Sequence, residues 1–116
     1  MKTIIAGSRD FNDYNLLAST CKQQLITEVV SGTARGADLL GERYAGKHAI
    51  PVKKYPARWD LFGKSAGYRR NEEMAKYADA CVIFWDGESK GTKHMIDLAK
   101  KYSLKLTVVL FKKESV

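Results

Sequence analysis

The chain has little with which to build disulfides, metal centres or membrane spans. Its two cysteines, Cys21 and Cys81, have no metal-ligand neighbour at suitable spacing, so neither a disulfide nor a metal site is expected. They fall on the apolar stripe of one helical segment and inside one β-prone run, where a small buried thiol is the ordinary outcome. The two histidines, His48 and His94, have no Ser, Cys or carboxylate partner at a telling distance in sequence, which leaves a catalytic histidine without support. Only two prolines occur, and no tract is rich in Pro, Ser or Gln, so disorder is not expected before the last few residues. The opening MKTIIAGSRD has a short apolar run ending at Gly7, too short for a signal peptide. No run approaches the length that crosses a bilayer. A cytoplasmic protein with no membrane partner is expected.

What is present fits one compact unit. At 116 residues the chain has room for a real core but not for two. We expect one domain over residues 1–112 and a short tail at 113–116. Twenty Lys and Arg against thirteen Asp and Glu leave a net charge of +7, which favours anionic partners. Lys100, Lys101, Lys105, Lys112 and Lys113 lie towards the C-terminus as a solvated surface. Arg9, Arg35, Lys53, Lys54, Arg58, Lys64, Arg69, Arg70, Lys90 and Lys93 fall mostly in or beside loops.

Apolar β-prone runs recur at residues 3–6, 26–30, 50–55, 79–85 and 105–111. Four stretches with helical spacing separate them. Their apolar faces are Leu17, Cys21 and Leu25; Ala37, Leu40, Tyr44 and Ala45; Met74, Ala75 and Ala78; and Met95, Ile96, Ala99 and Tyr102. Alternating β and α elements predict right-handed βαβ units, hence a Rossmann-like three-layer α/β/α fold with a mostly parallel five-stranded sheet of order 3-2-1-4-5. The fourth run is apolar at nearly every position, as a strand buried on both faces should be.

In such sheets the ligand crevice lies beyond the carboxyl ends of the strands, where strand order reverses. Three loops are predicted at that edge: AGSRDFND with Gly7, Ser8 and Arg9; SGTARGAD with Ser31, Gly32, Thr33, Arg35, Gly36 and Asp38; and WDGESKGTKH with Asp86, Gly87, Gly91 and Thr92. Glycine admits close backbone approach, and the N–H groups of a helix start favour an anion. None is a named nucleotide motif: GSR is not GxGxxG, and GESKGTK lacks the P-loop ending. Their convergence is what points to a phosphate site. A fourth segment, PARWDLFGKSAGYRRN (56–71), is too long for a plain connection. Trp59 and Phe62 either stack on a base or cover the end of the core, Asp60 is a candidate ribose acceptor, and Lys64, Arg69 or Arg70 is a candidate phosphate ligand, with Asn71 beside them.

Together AGSRDF, SGTARGAD and GYRRNEEMAKYADACVIFWDGESKGTKHMIDLAKK resemble the SLOG superfamily, and most closely its YspA-like (cpYpsA-related) branch. That superfamily contains the DNA-processing protein DprA and the LOG phosphoribohydrolases. The resemblance implies binding of a nucleotide or nucleotide-derived molecule, by a sensor or sequestering module with no cofactor. It also implies two alternatives. One is LOG-like cleavage of the N-glycosidic bond of a nucleoside 5′-monophosphate, and the other is DprA-like binding of single-stranded nucleic acid. Arg70 matches the LOG arginine beside the substrate phosphate, and Gly91 and Thr92 match the GT of PGGxGTxxE. Asp86-Gly87 replaces the first glycine pair, and Met95 stands where the LOG glutamate should be. A thioether cannot stabilise oxocarbenium character, so Asp38, Asp86 and Glu88 are the substitutes on offer. For Asp38 a role in the first helical turn is preferred over catalysis. By the same resemblance a homo-oligomer is expected.

Overall fold

In a computed structural model, which describes residues 1–112, the elements alternate as predicted. They are β1 (Lys2–Gly7), α1 (Tyr14–Lys22), β2 (Glu28–Ser31), α2 (Ala37–Lys47), β3 (Val52–Lys54), α3 (Trp59–Phe62), a single 3-10 turn (Gly63–Ser65), α4 (Ala66–Tyr77), β4 (Ala80–Trp85), α5 (Lys90–Lys101) and β5 (Lys105–Leu110). The five strands form one sheet of order β3-β2-β1-β4-β5, and every neighbouring pair is parallel. The expected tail at 113–116 lies outside the described residues.

Strand periodicity divides the core between two faces. Ile4, Ala6, Val30, Cys81 and Ile83 pack on one side with Met74, Ala75, Met95 and Ala99 of α4 and α5. Their neighbours in sequence, Ile5, Val29, Val82 and Phe84, pack on the other with Leu17, Ala37, Tyr44 and Ala45 of α1 and α2. Alternate side chains of one strand point to opposite faces, so a continuous apolar run such as β4 is what a doubly covered strand requires. Cys21 and Cys81 are both buried, in the two separate clusters. Burial pushes the Cys21 thiol up to about 12, which makes it a packing group rather than a nucleophile. No helix among the described residues is long and apolar enough to cross a membrane.

One expectation needs correction. Leu25 does not continue the buried face of α1: the helix ends at Lys22, and Leu25 is 81% exposed in the turn towards β2. The segment 56–71 also does more than join the third strand to the next helix. From Trp59 onward it is almost wholly helical, and α4 begins at Ala66, well before the apolar face that announced it. The first turns of α4 carry Tyr68, Arg69 and Arg70 instead of apolar residues, so hydrophobic periodicity is silent there.

Candidate functional site

The loops after β1, β2 and β4 meet at one edge because all strands run the same way, and β1 lies between β2 and β4. Specific contacts then tie them together. The Ser8 amide donates to Phe84 O at 2.9 Å, and its buried hydroxyl accepts from the Asp86 amide at 3.2 Å. Gly36 lies so close to the β1 loop that a Cβ there would sit 2.5 Å from Ser8 O and 2.6 Å from Arg9 O. Arg70, on α4, donates through Nη1 to Gly32 O across 38 residues of sequence.

Between these segments opens a cleft of about 570 Å³, within the range of small-molecule sites. Of the residues anticipated from sequence, Gly7, Ser8, Arg9, Arg35, Asp38, Trp59, Lys64, Arg70, Asn71, Asp86, Gly91 and Thr92 line it. Five do not. Ser31 is fully buried, donating to Glu42 Oε2 at 2.7 Å and accepting from the Thr33 amide at 3.1 Å. Gly32 and Thr33 line an adjoining hollow with Pro56 and Trp59. Gly36 lines another beside Leu39. Gly87 is exposed with open space around it.

Asp38 is placed by α2, in whose first turn it sits. Gly36 is the N-cap residue, so Asp38 does not cap the helix. Its Oδ2 accepts from the Ala34 amide at 3.2 Å and holds the preceding loop instead. Burial is the main influence on it, pushing its carboxyl up to about 6 against the pull of the Ala34 N–H, Arg70 and Arg9. Burial also lowers Arg70, and Asp38 opposes that shift. The pair shares a tight corner, since a Cβ on Gly32 would fall 2.7 Å from both Arg70 Nη1 and Asp38 Oδ2.

On the opposite wall Asp86 Oδ1 accepts from the amides of Glu88 at 2.9 Å and Ser89 at 2.8 Å. These two bonds shape the turn into α5, whose first-turn N–H groups have no acceptor within the helix. Thr92 reaches back from α5 to Ser89 at 3.1 Å. Met95 lines the floor of the cleft at 2% exposure.

The segment from Trp59 to Arg70 divides. Trp59 lines the cleft and is 53% exposed, so it does not cap the core. Phe62, 42% exposed, lies outside the cleft beneath the Arg69 guanidinium. Arg69 donates to Ser65 and Asp60 pairs with Arg58, and neither lines the cleft.

Sequence reasoning missed Asp10, Ala34, Gly67, Tyr68 and Ser89, which also line the cleft. Gly67 was detectable in principle, for it stands three and four residues before Arg70 and Asn71 on one helical face. The charge balance is the larger surprise in a basic chain. Arg9, Arg35, Lys64 and Arg70 face Asp10, Asp38, Asp86 and Glu88 around the same cavity. No group of three or more His, Cys, Asp or Glu that could hold a metal occurs among the described residues.

The family model described as YspA, cpYpsA-related SLOG family matches residues 1–62, which carry the loops after β1 and β2. The gene 61 protein of Mycobacterium phage D29 is 35% identical over 112 residues, covering 86% of this chain and 89% of that one. No solved structure matches.

Proposed function

The chain belongs to the YspA, cpYpsA-related SLOG family, and from that premise we propose that it binds a nucleotide or nucleotide-derived small molecule at the carboxyl edge of its sheet. The observation that carries this reading is the convergence of Arg9, Arg35, Lys64 and Arg70, from three separate segments, on one cleft that the first turn of α5 also enters. Guanidinium forks and helix-start amides are the groups that hold phosphate oxygens. The half-exposed indole of Trp59 offers a face for a base. Asp10, Asp86 and Glu88 are acceptors for ribose hydroxyls or exocyclic amines.

The mixed charge of the lining favours a small ligand over a strand. A polyanionic backbone would meet carboxylates on both walls, whereas a single nucleotide presents anion and hydroxyls to different partners. Calorimetric titration with AMP, ADP and ADP-ribose tests the reading. At least one is expected to bind, and Arg9→Ala and Arg70→Lys are each expected to weaken it about tenfold or more, as losing a charge-assisted contact should. Absence of heat and of thermal stabilisation with all three would reject it.

A second reading is hydrolysis of the N-glycosidic bond. Met95 cannot replace the missing carboxylate, but Asp38 lies in the cleft with its carboxyl near 6, the range in which a carboxyl exchanges protons at neutrality. Adenine released from AMP by the wild type, and not by Asp38→Asn, would support it. With no release, binding alone stands.

A further inference from the structure

We propose that His94 is a positioning residue that sets the direction of Arg70 through the side chain of Asn71. Arg70 Nε donates to Asn71 Oδ1 at 2.9 Å, and Asn71 Nδ2 lies 3.3 Å from His94 Nδ1. Asn71 is buried, and its two polar ends are both engaged.

Donor and acceptor chemistry gives this chain a single direction. A guanidinium only donates, so Asn71 must turn its oxygen to Arg70 and its amide to the histidine. The histidine must then accept at Nδ1, which places the proton of the neutral ring on Nε2. Tyr68, from α4, meets the ring edge-on with centroids 4.5 Å apart and braces it. The result is a relay from α5 through α4 to the β2 loop, where the far end of Arg70 holds Gly32 O.

Protonating His94 puts a hydrogen on Nδ1, facing the amide hydrogens of Asn71. Either Asn71 flips, turning its amide towards the Arg70 N–H, or the histidine withdraws and Asn71 is freed. In the first case Arg70 Nε loses its acceptor; in the second the acceptor is no longer held in place, and either way the guanidinium is less firmly oriented. The charged groups acting on His94 are Asp97, on its own helix, and Glu72, on α4. Both favour protonation, while burial outweighs them and lowers its pKa. The relay is therefore intact at neutral pH and opens on acidification.

This inference rests on the reading that Arg70 meets the ligand's phosphate, and its test separates the two. In the ligand-free protein, nitrogen-15 NMR of the imidazole should show neutral His94 protonated on Nε2. His94→Ala should shift the Arg70 Nε–H resonance and speed its exchange with water, and His94→Gln, whose amide oxygen replaces the acceptor, should restore both. ADP-ribose is the binding probe, because its phosphates do not ionise near neutrality. Its affinity should fall roughly fivefold in His94→Ala at pH 7.5, the worth of one hydrogen bond. From pH 7.5 to 5.5 the wild type should weaken relative to His94→Gln by a similar factor; this ratio cancels the Asp38 titration that both proteins share. A neutral ring protonated on Nδ1, an Arg70 resonance unmoved in His94→Ala, or the same pH profile in His94→Gln as in wild type would each overturn the relay. If the wild type binds no ADP-ribose at any pH, the reading of Arg70 as a phosphate ligand fails for this probe, and the NMR results still decide the relay.

Discussion

On one wall of the cleft, the loops after β1 and β2 meet backbone against backbone. Gly36, at φ +82°, lies against the carbonyls of Ser8 and Arg9. On the other wall, the loop after β4 turns at Gly87, also at positive φ (+84°) but with nothing near its missing side chain, and it is shaped by the carboxylate of Asp86. The same residue type thus serves two ends. The first wall is a joint that no side chain fits, and the second is a turn held by polar contacts, among them the Glu88 and Ser89 amides on Asp86 and the Asp86 amide on Ser8 Oγ.

Substitutions should separate the walls. Gly36→Ala is expected to be the most damaging, because it adds positive-φ strain to a clash with backbone atoms that cannot swing aside. A loss of more than about 3 kcal/mol in urea unfolding is expected. Gly87→Ala, at nearly the same φ, meets open space and should cost only about 1 kcal/mol. Equal losses at the two glycines would erase the distinction drawn here.

Asp38 sharpens it through pH. Its native carboxyl titrates near 6, against 3.8 for the ordinary group. As pH falls through 6 the native state takes up a proton that the unfolded chain does not, so this contribution raises stability. It is complete below the unfolded value and lost as pH rises through the native one. Relative to Asp38→Asn, which cannot titrate, the wild type should gain about 2 to 3 kcal/mol between pH 7 and pH 4. Parallel pH profiles for the two proteins would show that the first wall does not desolvate this carboxyl.

A similarly small effect is expected at Asp86. Replacing it by Ala removes the acceptor for the Glu88 and Ser89 amides and should cost about 1 kcal/mol in stability. Faster amide exchange should be confined to residues 87–92. Loosening that spread into the β2 loop would mean that the two walls are not independently held.

The fold was readable because its signals are local. Alternation, the doubly apolar β4 and the Gly-rich loops after strands each declare themselves within ten residues. The site was readable to the extent that parallel topology collects those loops at one edge. What stayed hidden depends on pairings that no local pattern encodes. The Arg70 bond to Gly32 spans 38 residues and the Asn71 pair with His94 spans 23. His94 looked partnerless because its partner is an amide from another helix, not the Ser, Cys or carboxylate by which catalytic histidines are sought. Ser31 read as a ligand group because a hydroxyl residue in a glycine loop looks the same whether it faces a ligand or, as here, the carboxylate of Glu42. Leu25 misled because helical spacing continues past the residue at which α1 stops.

The central claim is that one ligand occupies the cleft between these walls, and amide chemical shifts test it most directly. On titration with ADP-ribose, the largest shifts should fall at Ser8–Arg9, Ala34–Gly36 and Ser89–Thr92, saturate together with one dissociation constant, and shrink in Arg70→Lys. Shifts confined to β3, β5 or the outer faces of α1 and α2, or the same response in Arg70→Lys as in wild type, would contradict it.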